Sequence, residues 1–475
     1  MRIPALVVLA ALSLSAGCGR SEARPSVAAP PKPPPPAPPA QSADPARPAP
    51  AQDHDTAADM VVAHALREVS RLRELPPKGP VRGKLVSRAG MVAHVRRDML
   101  SEVPADAMLG QAEMMFALGT VPPDFDYERS LMELMTAQLA GFYEPKDKTM
   151  YLSADLAPSE RKMTLDHELV HALQDQYFGL GSLLDYRADA SDSQSAVHAL
   201  AEGGATSAML DAMLAPKGKR ATDLPDNAVG IEARGSIELS PAAAKVPDIL
   251  KRSIVSAYVD GIRLVHWARR RGGWAAVDAL WAHRPTTTEQ LLHPEKLLAH
   301  EVGDSIAVPL PDPAGPSKVL YHDVEGEQSV RLVFEGWMPR AKAAKAASGW
   351  DGDRVAVFRD GRRIAFAWHL RYDTREGAQE GLEAFARGVL ATARADRTGH
   401  ADPIFVGPKA AHAAAKGGSV CRARRLAGPF AVVRSGRDVA VTAGPYLRNP
   451  TGPRSDGACA AALKWARAVV ARGHP

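Results

Sequence analysis

Two histidines four residues apart flank a glutamate in the segment His167-Glu168-Leu169-Val170-His171. No proline or glycine follows until Gly179, so the segment is expected to be helical, and residues four apart lie on one face of a helix. The two imidazoles can therefore bind one metal ion, for which Zn²⁺ is the usual choice. Glu168 then points beside the ion, where its carboxylate can take a proton from a water molecule.

A third ligand must come from elsewhere, because a catalytic zinc usually has three protein ligands and one water. Glu202 lies in the apolar helical segment Ala199-Leu200-Ala201-Glu202-Gly203. A carboxylate in such a setting is costly unless it is paired or bound to a metal. His198 lies one turn earlier and shares the face of Glu202. At this point both residues are candidates for the third ligand.

Several of these segments together resemble the gluzincin class of zinc metallopeptidases. They are Gly141-Phe142-Tyr143, the run from His167 to Gln176, and the Ala-Leu-Ala-Glu-Gly around Glu202. Residues from about 130 to 300, and weakly on to about 385, are similar to uncharacterised bacterial secreted proteins that carry these motifs. The resemblance implies that Glu202 is the third zinc ligand, that Glu168 is the base, and that the reaction is hydrolysis of peptide bonds in protein or peptide substrates.

The chain departs from this class at one position near the expected metal site. Thermolysin-like members have an aspartate four residues after the glutamate ligand, and this aspartate orients a zinc-bound histidine. Here that position is Thr206. The orienting role is therefore expected to fall to Asp166, Asp175 or Asp192. A metzincin pattern is excluded, because positions 174 and 177, which would need Gly and His, are Gln and Tyr.

A peptidase must also stabilise the oxyanion of a tetrahedral intermediate and hold its substrate. His293, in a polar segment at 285–296 that also resembles the narrower family, and Tyr258 are the candidate donors. A structural histidine and a packed tyrosine are the alternative interpretation. The predicted strand at 149–152 is expected to hold an extended substrate by edge pairing.

Helical periodicity surrounds the motif and must position it. Pro76 and Pro77 end the first predicted helix, and a polar turn at 145–148 joins two short predicted strands within 141–152. Further helices are predicted at 88–101, 105–118, 127–140, 159–178, 193–214 and 250–271. After Pro309 the pattern changes to strand pairs at 354–359 with 363–370 and at 430–433 with 438–442, and to helices at 374–394 and 458–471.

The fold class is therefore predicted as α+β. A helix-rich domain, zincin-like by the resemblance, is expected at 57–305 with a small β-hairpin, and a smaller α+β domain of unknown role at 306–475. No internal repeat is visible, and the segment 19–56 is so rich in proline and alanine that it is expected to be an extended tether.

The first residues predict export. Arg2 precedes an apolar stretch from Ala5 to Leu14, and the sequence then ends in Ser15-Ala16-Gly17-Cys18, which predicts a signal peptide over 1–18. Ala-Gly-Cys resembles the lipobox of bacterial lipoproteins and implies lipidation of Cys18, although Leu14 lies one place further from the cysteine than usual. We therefore expect a membrane-anchored protein of the bacterial cell envelope, or otherwise a secreted one.

Export also bears on the cysteines and on possible partners. Cys421 and Cys459 are the only cysteines besides Cys18, and an oxidising compartment predicts that they form a disulfide, with two free thiols as the alternative. The net charge of +5 comes from scattered residues without a block of like charge, so a nucleic-acid partner is not expected. The expected partners are a protein or peptide substrate and the membrane.

A second function is compatible with the same residues. A non-catalytic envelope lipoprotein could use a zincin-like fold as a binding scaffold, with or without zinc. The intact Glu168 argues against this alternative, because a scaffold has no need of a base beside its metal.

Overall fold

The computed structural model describes residues 55–225, 228, 244–398, 406–448, 454–455 and 457–472. The predicted signal peptide, Cys18 and nearly all of the predicted tether lie outside the described residues. Within the described ranges, no helix combines the length and the apolar character needed to cross a membrane.

The N-terminal part of the described chain is helical, and the helices predicted from periodicity are confirmed with small changes at their ends, except for the one predicted at 250–271, which is longer. The helices are α1 (Asp55–Arg73), α2 (Arg88–Glu102), α3 (Ala105–Leu118), α4 (Tyr127–Gln138), α5 (Pro158–Phe178), α6 (Leu180–Leu184), α7 (Ser191–Leu214), α8 (Asp248–Ala282), α9 (Thr288–Leu292) and α10 (Pro294–Leu298).

A three-stranded sheet lies among these helices. It contains β1 (Arg82–Val86), β2 (Gly141–Glu144) and β3 (Thr149–Ser153), in the order β1-β3-β2. The predicted hairpin is confirmed as β2 and β3, which pair antiparallel, while β1 pairs parallel with β3. Because β3 is hydrogen-bonded on both sides, the prediction that residues 149–152 bind substrate by edge pairing is wrong. The edges of this sheet belong to β1 and β2.

The C-terminal part is built on a larger sheet, so the mixed α+β class is confirmed. Its strands are antiparallel in the order β4-β5-β6-β9-β8-β7, with β10 added beside β9. The elements are β4 (Val319–Asp323), α11 (Gly326–Glu335), α12 (Arg340–Ala347), β5 (Trp350–Asp360), β6 (Arg363–Tyr372), α13 (Arg375–Thr398), α14 (Pro408–Ala415), β7 (Ser419–Arg422), β8 (Phe430–Ser435), β9 (Asp438–Leu447), β10 (Arg454–Ser455) and α15 (Cys459–Ala471).

Hydrophobic side chains form two large cores. One joins α2, α3, α4 and the start of α8 to the larger sheet, as in the edge contact of Phe116 with Tyr446, whose ring centroids lie 5.3 Å apart. The other surrounds the motif helix α5 with α1, α7 and the rest of α8. Its members Leu169 and Leu200 are fully buried, and each such side chain contributes about 1.5–3 kcal/mol. The first core spans position 305, and the division into two domains there stays a prediction.

Helix α8 is longer than the predicted 250–271. It continues to Ala282 across a break at Gly272 and Gly273, whose backbone angles are not helical. Gly273 has φ +64° and ψ −152°, a combination that is essentially restricted to glycine. The predicted end therefore coincides with the kink, after which the chain resumes a helix.

The C-terminal part holds the beginning of α7. The backbone N–H of Ser191 donates to Oδ1 of Asp323 at 3.1 Å, and the Ser191 hydroxyl donates to Oδ2 at 2.5 Å. The next N–H along, that of Asp192, donates to the Val324 carbonyl at 3.1 Å. These bonds satisfy N–H groups that a helix start leaves unpaired, so the residues around β4 fix the direction in which α7 enters the helical part.

Cys421 of β7 and Cys459 at the start of α15 form a disulfide in the structure, with Cα atoms 5.8 Å apart. This is the disulfide that was predicted from the expected export of the protein. On the same helix, Trp465 is buried against the sheet with its ring centroid 6.1 Å from that of Phe358. The disulfide and this contact hold α15 on the face of the larger sheet.

Candidate metal centre

Helix α5 presents His167 and His171 on one face. Pro158 occupies the first turn, where the N–H that proline lacks would be unpaired in any case, and Gly179 ends the helix. The middle of the helix, from Thr164 to Gln174, is buried. The Nε2 atoms of the two histidines lie 3.2 Å apart, so both rings direct a nitrogen to the same point.

Glu202 reaches this point from α7. Its Oε2 atom lies 3.1 Å from Nε2 of His167, and its Oε1 atom lies 3.7 Å from Nε2 of His171. The ligand atoms of the three side chains all lie within 4.8 Å of one another, and the three residues are buried. Two imidazole nitrogens and a carboxylate oxygen are the protein ligands of a known kind of catalytic zinc site. The residues present therefore fit a zinc ion.

The charges of the three side chains are coupled. Burial favours the neutral form of Glu202, but the charge of His171 and the hydrogen bonds of the neighbouring histidines outweigh it and hold its pKa well below the usual range. Burial lowers the pKa of His167. Burial also acts to lower the pKa of His171, but the Glu202 carboxylate outweighs burial and the pKa is raised. The centre thus contains a buried negative charge, which a proton or a metal cation must balance.

Glu202 lies this deep because α7 and α8 cross at two glycines. A Cβ atom on Gly203 would lie 2.2 Å from the carbonyl carbon of Gly261. A Cβ atom on Gly261 would lie 1.8 Å from the carbonyl oxygen of Ala199. The two backbones are therefore in direct contact next to Glu202, with no room for a side chain between them.

His198, the alternative third ligand, lies behind Glu202 in this arrangement. Its Nε2 atom lies 3.1 Å from Oε1 of Glu202, and it does not belong to the group formed by the two motif histidines and Glu202. The geometry therefore favours Glu202 over His198 as the ligand and gives His198 a contact to the ligand's second oxygen.

Gln174 is a neighbour of the centre that the sequence analysis did not single out. Its Oε1 atom lies 2.8 Å from Nδ1 of His171, and its Nε2 atom donates to the carbonyl oxygen of Ala201 at 3.0 Å. Gln174 follows His171 by three residues, and residues three apart share a helix face. That spacing is the signal that could have identified it.

The prediction that Asp166, Asp175 or Asp192 orients a zinc-bound histidine is wrong, because the contacts of these three carboxylates are with other residues. The partners of these carboxylates are Lys162 for Asp166, the Tyr143 hydroxyl for Asp175, and Thr288 for Asp192. Asp166 and Asp175 are engaged by these partners, and Asp192 lies at the start of α7, whereas Glu202 lies in the middle of that helix.

Glu168, the predicted base, is fully buried beside His167. Its Oε2 atom accepts a hydrogen bond from the backbone N–H of Tyr143, on strand β2, at 3.1 Å. The Tyr143 hydroxyl in turn donates to Asp175 on the same helix, α5, at 3.1 Å. These two hydrogen bonds tie Glu168 and Asp175 of α5 to Tyr143 of β2.

The two candidate oxyanion donors differ in their surroundings. Tyr258 of α8 is buried beside the centre, with its ring centroid 6.0 Å from that of His167. His293 has its Nε2 atom 3.0 Å from Glu327 of α11, and this hydrogen bond raises the pKa of His293. The structure thus brings Tyr258 to the candidate ligands, whereas the contact of His293 joins the segment 285–296 to the C-terminal part.

A second group of acidic side chains, formed by Glu289, Glu301 and Asp373, is also close enough to hold a cation. The ammonium group of Lys296 lies 2.7, 2.6 and 2.9 Å from these three carboxylates. Because a cationic side chain already lies among them, this group needs no metal.

A third group contains His94, Asp98 and Glu144. Nη2 of Arg97 lies 3.0 Å from Nδ1 of His94. Nε2 of His94 lies 2.9 Å from Asp98 and 3.7 Å from Glu144. Unlike the group formed by His167, His171 and Glu202, this group is only partly buried.

Comparison with known proteins bears only on the C-terminal part. Residues 318–450 match a family described as a domain of unknown function, DUF8575. The matched region runs from β4 to the end of β9 and does not include the candidate metal centre. No curated protein and no solved structure matches the chain.

Proposed function

We propose that the protein is a gluzincin-type zinc metallopeptidase that hydrolyses peptide bonds in protein or peptide substrates at the bacterial cell envelope. The observation that carries the proposal is the convergence of His167, His171 and Glu202 in one buried group, with Glu168 next to it. A zincin-like fold for the helical part belongs to the proposal. It is supported by the β2–β3 hairpin directly before α5 and by the packing of α7 against α5.

The proposed reaction assigns a task to each side chain. His167, His171 and Glu202 would hold Zn²⁺, which when bound polarises the scissile carbonyl and lowers the pKa of water. Glu168 takes a proton from the attacking water and then delivers it to the leaving amine. The Tyr143 N–H, which donates to Oε2 of Glu168 at 3.1 Å, would hold this carboxylate in place.

Tyr258 is the proposed oxyanion donor, and its position beside His167 supports this role. A phenol at this place can donate a hydrogen bond to developing negative charge, and the surrounding burial strengthens such a bond. His293 stays a prediction for this role.

The proposed location follows from the N-terminal sequence. A signal peptide that ends at Cys18, followed by a Pro/Ala-rich tether to position 56, is the arrangement of a lipid-anchored envelope protein whose folded part is held away from the membrane. Without lipidation of Cys18 the protein would be secreted.

The test combines metal analysis with a protease assay on unfolded casein, using wild type and Glu168→Gln. We expect about one zinc per chain in both proteins, and a rate that falls by about two to four orders of magnitude in the variant, because it keeps the shape of the side chain but loses the proton acceptor. Glu160→Gln, in the first turn of the same helix, is the matched control and should retain full activity.

Two outcomes would overturn the proposal. Normal activity of Glu168→Gln would remove the proposed mechanism. Zinc binding by the wild type without turnover of casein or of a mixed peptide library would favour the binding scaffold over the peptidase.

A further inference from the structure

We infer that Gln174 is a positioning residue that fixes the tautomer of His171 and joins the two helices that carry the candidate ligands. The inference rests on the proposed function, since it concerns the same centre. Gln174 is fully buried on α5 and contacts the helix of Glu202, although it is not itself a candidate ligand.

The orientation of the Gln174 amide follows from its partner on α7. The carbonyl oxygen of Ala201 has no proton to donate, so the amide group that faces it at 3.0 Å must be the NH₂. The other end of the amide, the oxygen Oε1, then faces Nδ1 of His171 at 2.8 Å. The amide cannot be turned around without setting a carbonyl oxygen against a carbonyl oxygen.

This orientation determines which nitrogen of His171 is available to a metal. Because Oε1 can only accept, Nδ1 of His171 must carry the proton that it donates. In the neutral ring the lone pair is then on Nε2, the nitrogen that lies 3.2 Å from Nε2 of His167 and 3.7 Å from Glu202. Gln174 therefore presents His171 in the tautomer that metal binding needs.

The neighbouring sequence leaves space for this amide. A Cβ atom on Gly204 would lie 2.7 Å from Nε2 of Gln174, so any larger residue at 204 would displace the amide or separate α5 from α7. Thr206, at the position where related enzymes have an orienting aspartate, is fully buried and its hydroxyl makes no hydrogen bond within the described part of the chain. Gln174, and not Thr206, is thus the side chain that contacts Nδ1 of His171.

The test measures zinc affinity by competition with a chromophoric chelator, which needs no enzymatic turnover. Gln174→Met has a similar length but neither accepts from His171 nor donates to Ala201, and we expect its zinc affinity to fall by about 10–100-fold. Gln174→Glu keeps an acceptor for Nδ1–H, so it should bind zinc more tightly than Gln174→Met. In the zinc-loaded wild type, the Nδ1 proton of His171 should give a downfield ¹H–¹⁵N signal that Gln174→Met lacks.

Gln176→Met is the matched control. Gln176 lies on the same helix and also bonds to backbone groups, accepting from the N–H of Lys78 at 2.7 Å and donating to the carbonyl of Gly79 at 3.1 Å. Its replacement removes comparable bonds away from the centre and should leave zinc affinity unchanged.

The outcomes separate this inference from the proposed function. A wild type that does not bind zinc would remove both. A wild type that binds zinc, together with a Gln174→Met variant that binds it equally well, would overturn the role of Gln174 and leave the metallopeptidase proposal intact. Equal weakening in Gln174→Met and Gln174→Glu would show that acceptance from His171 is not the cause. If Gln174→Met does not fold, Gly204→Ala, which displaces the same amide, takes its place.

Discussion

Oε1 of Glu202 lies 3.1 Å from Nε2 of His198, one turn earlier on the same helix. The other oxygen, Oε2, lies 3.1 Å from Nε2 of His167 on the facing helix. Oε1 also lies 3.7 Å from Nε2 of His171, so this fully buried carboxylate contacts histidines of both helices. The arrangement fixes the plane of the carboxylate and directs Oε2 toward His167.

This relationship predicts different effects for the two residues. Glu202→Ala removes a ligand, so zinc content and activity should be lost together. His198→Ala removes only an orienting contact, so the protein should retain zinc with an affinity lowered by about 10–100-fold. Zinc content after dialysis against chelators of increasing strength measures both effects. His64→Ala, a surface variant, is the control. Full zinc occupancy in Glu202→Ala with loss in His198→Ala would reverse the two roles.

The candidate site was predictable where its geometry is local. The relative positions of His167, Glu168 and His171 follow from helical spacing alone, and this spacing can be recognised in the sequence. Glu202 required the resemblance to gluzincins, because no spacing rule states which helix packs against α5. The orientation of Gln174 and the N–H that Tyr143 donates to Glu168 depend on how three elements pack, and this is not encoded in any local pattern.

The buried carboxyl of Asp192 predicts that stability falls as pH rises. Burial is the main cause that raises its pKa to about 7, whereas an unfolded aspartate titrates near 3.9. Between these values the folded chain holds a proton that the unfolded chain has released. The stabilisation is therefore complete below the unfolded pKa and is lost as pH rises toward 7. Asp353 and Glu289, each also raised to about 7, act in the same direction.

Asp192→Asn tests this dependence. The amide oxygen can still accept the bonds from Thr288, and the side chain stays neutral at every pH. We expect the variant to gain stability over wild type by on the order of 2 kcal/mol between pH 5 and pH 8, since one pKa unit corresponds to about 1.4 kcal/mol. Urea unfolding at pH 5, 6, 7 and 8 measures the difference. Asp124→Asn, at an exposed loop position, should follow wild type, and a constant offset for Asp192→Asn would contradict the prediction.

The fold was predictable where apolar periodicity is strong, and it was missed where pairing is distant in sequence. Strand β1 is short and largely exposed, and it pairs in parallel with β3 across more than one helix, so no alternation identified it. The same omission explains the wrong prediction for residues 149–152, because β1 is the strand that covers the second side of β3. The predicted end of α8 at 271 coincides with the kink at Gly272 and Gly273, and the helical segment beyond the kink was missed.

The proposed envelope location predicts the behaviour of Cys18 variants. Wild type expressed in a bacterial host should enter the membrane fraction through lipid on Cys18, since acyl chains supply membrane affinity that the described part of the chain does not provide by a spanning helix. Cys18→Ser should move the protein to a soluble fraction while leaving zinc content unchanged. Cell fractionation followed by immunoblotting measures the distribution. Equal membrane retention of wild type and variant would remove the lipid anchor from the proposal.

The backbone contact between α7 and α8 predicts that Gly261 is essential to the metal centre. A methyl group at 261 would lie 1.8 Å from the carbonyl oxygen of Ala199, so Gly261→Ala must push the helices apart. Overpacking of this kind typically costs about 1–3 kcal/mol, and the displacement should also move Glu202 and weaken zinc binding.

Gly407→Ala is the control, because a Cβ atom there meets nothing within 4 Å. Thermal unfolding and chelator competition measure the two effects. A Gly261→Ala variant with the melting temperature and zinc affinity of wild type would show that the helices do not need this contact to hold the centre.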